Sequence, residues 1–263
     1  MNWSNILEET VAVAREAGAF IRKERQVFDL ERVELKGLND MVSYVDKQAE
    51  QIIVDQLSRI LPEAGFITEE GTSTLKGEVY HWIIDPLDGT TNFIHDLPFY
   101  SVSIGLQKNE EIIMGVVYEI TRSECFYALK GQGAYCNETP IRVSLAEDLS
   151  SCLIATGFPY DTKGQTDAYL AILKSLTESS HGFRRLGSAA LDLCYVACGR
   201  VDGYFQHNLK PYDVAGGAII VQEAGGRLSD FRGGNNYVFG GEMVSTNGKI
   251  HQELLTMTKL LVT

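Results

Sequence analysis

No apolar run in this chain approaches the roughly 18–20 residues that a membrane-spanning helix needs, and no Cys-x-x-Cys pair occurs in it. The five cysteines (Cys125, Cys136, Cys152, Cys194 and Cys198) are odd in number and scattered. Cys194 and Cys198 share one face of an expected helix, but no histidine pair accompanies them, so the five read as reduced thiols filling core space. Basic charge is scarce as well. Lys and Arg number 23 against 35 Asp and Glu, a net charge of −12. That argues against a general nucleic-acid or anionic-membrane surface and leaves acidic groups free to serve a cation. Glu8, Glu9 and Glu16 interrupt the apolar residues of the N-terminal stretch, so no signal peptide is expected. No repeat, low-complexity tract or linker stands out. A soluble, cytoplasmic protein without a nucleic-acid or membrane partner is expected.

What is present suffices for a large core: 263 residues, 44% of them hydrophobic. Ile6, Val13, Ala14, Ala17, Phe20 and Ile21 form one stripe of an amphipathic helix over 5–24. Val45, Ala49, Ile52, Ile53, Leu57 and Ile60 repeat the pattern until Pro62 stops it. The stretch between reads as a loop or short hairpin. Strands follow at "GFITEEG" and "HWIIDP", and the texture from 99 to 137 is that of an antiparallel meander. Beyond 150 strands and helices alternate: a strand at "CLIATGF", helices at 166–179 and 188–198, a strand at "GYFQ", a helix over 213–224 closed by Gly225-Gly226, then "MVSTNG" and a final helix from about 249. The expected organisation is a layered α/β chain in two halves, 1–145 and 146–263.

The segment "WIIDPLDGTTNF", Trp82 to Phe93, carries the densest chemistry. Pro86 restrains Asp85 to an extended conformation and favours a β-turn over 85–88. Two carboxylates and the Leu87 carbonyl would then face one point. Gly89-Thr90-Thr91-Asn92 follows as a helix start, whose first amides suit an anion. Aspartates before turns and at helix caps are ordinary, so this stretch alone reads equally well as a structural joint. Calcium loops of the EF-hand type are excluded, because positions 1, 3 and 5 from Asp85 are Asp, Leu and Gly. Further acids stand at element ends: Glu69 and Glu70 in "ITEEG", Asp46 in "SYVDK" and Asp213 in "PYDVAGG". Converging carboxylates without cations repel and protonate; with divalent ions they become ligands.

Two blocks, "WIIDPLDGTTNF" and "YDVAGGAIIVQEAGG", resemble the inositol monophosphatase family of magnesium-dependent, lithium-sensitive phosphatases. "ITEEG", "KGLND…SYVD" and "GFRRLGSAALDLCYVACGRVDGYF" match in order and spacing, so the likeness covers nearly the whole chain. It implies an α-β-α-β-α sandwich of the sugar-phosphatase type, with an antiparallel sheet in the first half and a mixed sheet in the second. It also implies a phosphomonoesterase for inositol 1-phosphate or a related polyol or sugar phosphate, using two to three Mg²⁺ ions, and a homodimer. Residue by residue, Glu69, Asp85 and the Leu87 carbonyl would hold one metal. Asp85, Asp88 and Asp213 would hold a second, and a third would lie near Glu69. Thr90 and Asp46 would orient and deprotonate the attacking water, and the Gly89 and Thr90 amides would bind phosphate. Lys36 and Glu70 would support the site. Ala189 would offer its amide to the substrate, beside Asp88 and Asp213. Ser188 reads as a helix cap rather than a nucleophile.

One position departs from the family pattern: many members carry a substrate-binding glutamate where this chain has Gln206, and Lys210 adds a charge four residues on. Other substrates, such as a sugar bisphosphate, a nucleotide or histidinol phosphate, are therefore alternatives, as is a regulatory or binding protein on the same fold. Arg184 and Arg185 form a small basic spot for a dimer contact or a partner.

Overall fold

The computed structural model describes residues 1–28, 33–37, 40–158 and 165–262, with 33–37 and 40–42 as backbone only. Helices α1 (Trp3–Arg25) and α2 (Tyr44–Ile60) are joined through a hairpin of β1 (Val33–Gly37) and β2 (Asp40–Ser43). They lie on one face of a seven-stranded sheet made of β3 (Gly65–Thr68), β4 (Tyr80–Asp88), β5 (Ser101–Lys108), β6 (Glu111–Glu119), β7 (Glu124–Leu129), β8 (Ala134–Cys136) and β9 (Thr139–Ile141). Strand order follows chain order. Every pair is antiparallel except β3–β4, which is parallel because the long 69–79 connection carries the chain back to enter β4 in the same sense as β3. This sheet is thus mixed, where the sequence pointed to an antiparallel one.

A short helix α3 (Thr90–Ile94) follows β4. The second sheet has the order β11-β10-β12-β14-β13, with β10 (Ile154–Thr156), β11 (Phe183–Arg184), β12 (Gly203–His207), β13 (Arg227–Ser229) and β14 (Glu242–Thr246). Helices α4 (Thr166–Ser179) and α7 (His251–Thr258) cover its outer face, and α5 (Ala189–Ala197) and α6 (Pro211–Glu223) fill the space between the sheets.

Strand alternation assigns the layers. Trp82 and Ile84 join Val13, Ile21, Ile53 and Leu57 in the outer core, whereas Ile83 between them turns to the α5/α6 layer. Tyr204 and Met243 face that middle layer, and Phe205 and Val244 face α4 and α7. The result is the α-β-α-β-α sandwich. Helix α5 is buried along its whole length, as a helix between two sheets must be. Glycines let α6 lie close: a Cβ on Gly115 would stand 2.2 Å from the Gly216 carbonyl oxygen, and one on its cross-strand partner Gly105 would stand 2.9 Å from Ala215 Cβ. The motif "AGG" on α6 therefore meets a glycine pair on β5 and β6, and this contact sets the height at which Asp213 is held. Three of the five free cysteines, Cys125, Cys152 and Cys194, are buried. Burial pushes the Cys125 thiol up to about 12, which keeps it inert. Among the described residues, no helix is long and apolar enough to cross a membrane.

Candidate functional site

The segment 85–88 does not form the expected β-turn. Strand β4 continues to Asp88, with Asp85 opposite Ser103 and Asp88 opposite Ser101. Pro86 and Leu87 together oppose one residue, so the strand carries a bulge. Proline suits it, since it has no N–H to offer the ladder. The bulge has a chemical consequence. Ser101 and Ser103 are two apart and point to one face, so Asp85 and Asp88, three apart in sequence, also come to one face. Asp85 Oδ1 accepts the Leu87 amide across the bulge at 3.0 Å. The reversal comes one residue later, at Gly89, with φ 99° at the N-cap of α3. A side chain there would meet the carbonyl oxygens of Phe99 and Gly187 and the Tyr100 Cβ. The first amides of α3 have no partner within the helix.

Three elements bring four acids to this point. Glu69 follows β3, its amide bonded to the Ile84 carbonyl at 3.3 Å. Asp85 and Asp88 end β4. Asp213 is the third residue of α6, with Oδ2 accepting the Lys210 amide at 2.6 Å. The four carboxylates feel one another. Burial pushes the Asp85 carboxyl well above the usual range, and the charges of Glu69, Asp88 and Asp213 push it further. Asp213 is raised well above its ordinary value by burial and then by Asp88. Asp88 rises to about 6 through burial, against the Ser188 hydroxyl and the Ala190 and Ala189 amides, which favour its charged form. Repulsion among buried carboxylates identifies a place short of positive charge.

Asp46 and Thr90 meet as the sequence suggested. The Thr90 hydroxyl stands 3.0 Å from Asp46 Oδ1 and 3.0 Å from the Leu87 carbonyl. Asp46 is fixed from behind, because the Ser43 amide (2.8 Å) and hydroxyl (2.6 Å) both donate to its Oδ2. Burial raises its carboxyl, and these donors oppose the rise.

Other expected residues take different places. Ser188 caps α5 by accepting the Leu191 amide, and its hydroxyl donates to Asp88 Oδ2 at 2.6 Å. The Ala190 amide donates to the same oxygen at 2.7 Å. The start of α5, Ala189 included, is thus aimed at Asp88. Gln206 accepts the Tyr204 hydroxyl at 2.9 Å and lies against Gly157, where a Cβ would overlap its Oε1. Lys210 is exposed, as are Arg184 and Arg185. Glu70 contributes through its backbone, its amide donating to Glu50. Lys36 is on β1, and its side chain lies outside the described residues.

Three positioning groups escaped the sequence reading. Ser43 was legible, since Ser43 and Asp46 have capping-box spacing. Glu50 is a buried glutamate four residues after Asp46, on an otherwise apolar face, and that misplacement was its signal. Asn92 donates to the Phe99 and Leu186 carbonyls, 2.8 Å each, and ties α3 to the approach to α5; nothing in its local sequence marks it.

The donor set is all oxygen: carboxylates of Glu69, Asp85, Asp88 and Asp213 with the Leu87 carbonyl nearby. That set suits a hard divalent cation of the magnesium type and not a thiolate- or imidazole-preferring metal. Among the described residues no three His, Cys, Asp or Glu side chains already form a metal cage. Asp85, Asp88 and Asp213 each have one oxygen engaged by a protein donor and keep lone pairs for a cation. On these grounds the residues fit such an ion. An anion-accepting helix start, a cation-accepting carboxylate group and a hydroxyl–carboxylate pair therefore adjoin.

Known proteins share this arrangement of chain. Residues 2–260 match the model of the inositol monophosphatase family. The chain is 44% identical over 252 residues to the Nus factor SuhB of Escherichia coli (strain K12), covering 95% of this chain and 94% of that protein. The crystal structure of extragenic suppressor protein suhB from Bartonella henselae is similar with a TM-score of 0.92 and 38% identity, over 97% of this chain and 98% of that one. The inositol monophosphatase from Anabaena (Nostoc) is similar with a TM-score of 0.88 and 36% identity, over 98% of this chain and 97% of that one.

Proposed function

The chain belongs to the inositol monophosphatase family, and from that premise we propose that it is a Mg²⁺-dependent phosphomonoesterase acting on inositol 1-phosphate or a related polyol or sugar phosphate. The observation that carries the reading is the convergence of Glu69, Asp85, Asp88 and Asp213 from three elements beside the Thr90–Asp46 pair. Glu69, Asp85 and the Leu87 carbonyl would hold one ion. Asp85, Asp88 and Asp213 would hold a second, and a third would lie near Glu69. When bound, the ions acidify water and neutralise phosphate charge.

The chain's own groups do the positioning. The amides of Gly89 and Thr90 bind phosphate oxygens. Thr90 Oγ1 directs its proton to Asp46 Oδ1 and turns a lone pair to the attacking water; as it takes the water's proton, its own passes to Asp46. Ser43 keeps the Asp46 carboxylate from turning away. Water oxygen attacks phosphorus in line, the ester P–O bond breaks, and the departing alkoxide oxygen takes a proton from solvent water. Ser188, buried and committed to Asp88, is no nucleophile, so no phosphoenzyme forms.

The substrate alcohol is read nearer Gln206. Its carboxamide oxygen is taken by Tyr204, which leaves an uncharged donor toward the substrate where many relatives present a carboxylate. Lys210 adds positive charge at the rim. Both favour substrates richer in phosphate or lacking the inositol hydroxyl pattern. The test is hydrolysis of a panel (inositol 1-phosphate, fructose 1,6-bisphosphate, a nucleoside monophosphate and histidinol phosphate) with Mg²⁺, EDTA or Li⁺. Turnover dependent on Mg²⁺ and inhibited by Li⁺ is expected. Absence of Mg²⁺-dependent turnover on every ester would refute the enzyme reading.

The name of the relatives supports a second reading, a Nus factor on this fold. The net charge of −12 favours protein contacts over direct binding to nucleic acid in such a role. Loss of turnover with an undiminished partner interaction in Asp88→Asn would separate the two roles.

A further inference from the structure

Glu50 is fully buried on α2, one helical turn beyond Asp46 on the same face. Its Oε2 accepts the Glu70 amide at 2.8 Å. Its Oε1 accepts the Thr72 amide at 2.9 Å and the Thr72 hydroxyl at 2.8 Å. Between those two amides Gly71 has φ 70°, a reversal of the kind that lets neighbouring amides converge on one anion. The loop 70–72 is thereby closed around a carboxylate belonging to another element. Glu69, the residue before this loop, is bonded on its other side to the Ile84 carbonyl, next to Asp85.

We propose that Glu50 is a positioning residue that fastens the Glu69 loop to α2, so that the divalent-ion ligands and the Asp46–Thr90 pair are held as one unit. The inference rests on the phosphatase reading above for its site, but its logic is mechanical. Helix α2 carries two buried acids one turn apart. Asp46 fixes Thr90 at the end of β4, and Glu50 fixes the loop after β3. Removing either leaves one edge of the site attached to α2 and the other free. A buried carboxylate is a costly clasp unless its oxygens are hydrogen-bonded, and here both are. Glutamine at this position would keep the shape, but its amide group would turn an N–H donor toward donors, leaving at least one of the three unsatisfied.

Mn²⁺ serves as the probe, with free ion counted by electron paramagnetic resonance, so that no turnover is needed. Glu50→Gln is expected to bind Mn²⁺ about 10-fold more weakly, the scale of outer-shell changes at metal sites. At saturating metal its substrate KM should be that of the wild type and its kcat largely restored, a split that general destabilisation does not give. Thr72→Val, which removes only the hydroxyl donor, should weaken Mn²⁺ binding about threefold and remains decisive if Glu50→Gln does not fold. Wild-type Mn²⁺ affinity in either folded variant overturns the proposal while leaving the phosphatase reading intact. A wild-type protein that binds no Mn²⁺ overturns both.

Discussion

Asp46 and Asp213 occupy the same position in two helices, three residues after the N-cap. Each turns one carboxylate oxygen back to the cap residue's amide, at 2.8 Å from Ser43 and 2.6 Å from Lys210. The surroundings differ. In α2 the cap is a serine whose hydroxyl adds a second bond to the same oxygen, the carboxylate is buried, and the other oxygen meets a threonine hydroxyl. In α6 the cap side chain offers no oxygen, Pro211 opens the helix, and the charges that press on the carboxyl are those of Asp88 and Glu69. One local device therefore serves two purposes. The first oxygen fixes the side chain, and the surroundings of the second differ: a hydroxyl, which the proposed reaction uses as a proton path, and other carboxylates, which it uses to hold a cation.

Two isosteric changes test that division most sharply. Asp213→Asn should weaken Mn²⁺ binding by about 10-fold or more and abolish Mg²⁺-dependent turnover, with thermal stability unchanged or raised, because a buried like charge is removed. Asp46→Asn should leave Mn²⁺ binding near that of the wild type and lower kcat by about 10²–10⁴, the usual scale for a lost general base. Equal loss of metal binding in both variants would break the comparison.

The same comparison shows where the sequence was informative. Helix stripes, the β5–β8 part of the meander and the acids at element ends were legible because each rests on local periodicity or on a terminus signal. The bulge at Pro86-Leu87 was not. Proline after an aspartate favours a turn locally, and only pairing with β5 makes a bulge the better solution. The parallel β3–β4 pair also escaped, since strand direction depends on the connection and not on either strand's residues. For the site, the converging acids were readable, whereas the groups that hold them were less so. Ser188, read only as a cap, also bonds Asp88 from 100 residues away, and Glu50 acts on a loop 20 residues ahead of it.

A smaller effect should follow from disturbing the height of α6 without touching any acid. Alanine at Gly115 would place a methyl 2.2 Å from the Gly216 carbonyl oxygen. Overpacking of this kind costs about 1–3 kcal/mol, read as a lower urea midpoint at unchanged m-value. Because α6 carries Asp213 and α2 carries Asp46, the variant should also loosen Mn²⁺ binding while leaving the Asp46–Thr90 pair in place. A wild-type urea midpoint in Gly115→Ala would show that α6 and the sheet have slack, and that the glycine pair does not set the position of Asp213.

A third helix start extends the contrast, since α7 opens on a base. His251, the first residue of α7, is buried, with Nε2 3.0 Å from the Ser229 hydroxyl and Nδ1 3.0 Å from that of Thr246. Ser229 directs its own hydrogen to the Asp230 carbonyl, so Nε2–H donates and Nδ1 accepts. Burial, with Arg227 adding to it, lowers the imidazole to about 4 from 6.5. A second proton would face Thr246 and place positive charge at the positive end of a helix. The unfolded chain binds that proton below pH 6.5 and the folded one only near pH 4, so stability is lost as pH falls through this window. The loss should reach about 1 kcal/mol by pH 5.5 and vanish above pH 7. Carboxyls raised by burial, such as Asp85, act in the opposite direction, binding protons first in the folded state and gaining stability as pH falls. The contribution of His251 is therefore read as a difference. Urea midpoints at pH 7.5 and 5.5 should show a smaller acid loss, or a net gain, in His251→Gln than in the wild type. An identical pH response in the two would place the acid sensitivity elsewhere and remove His251 from the comparison.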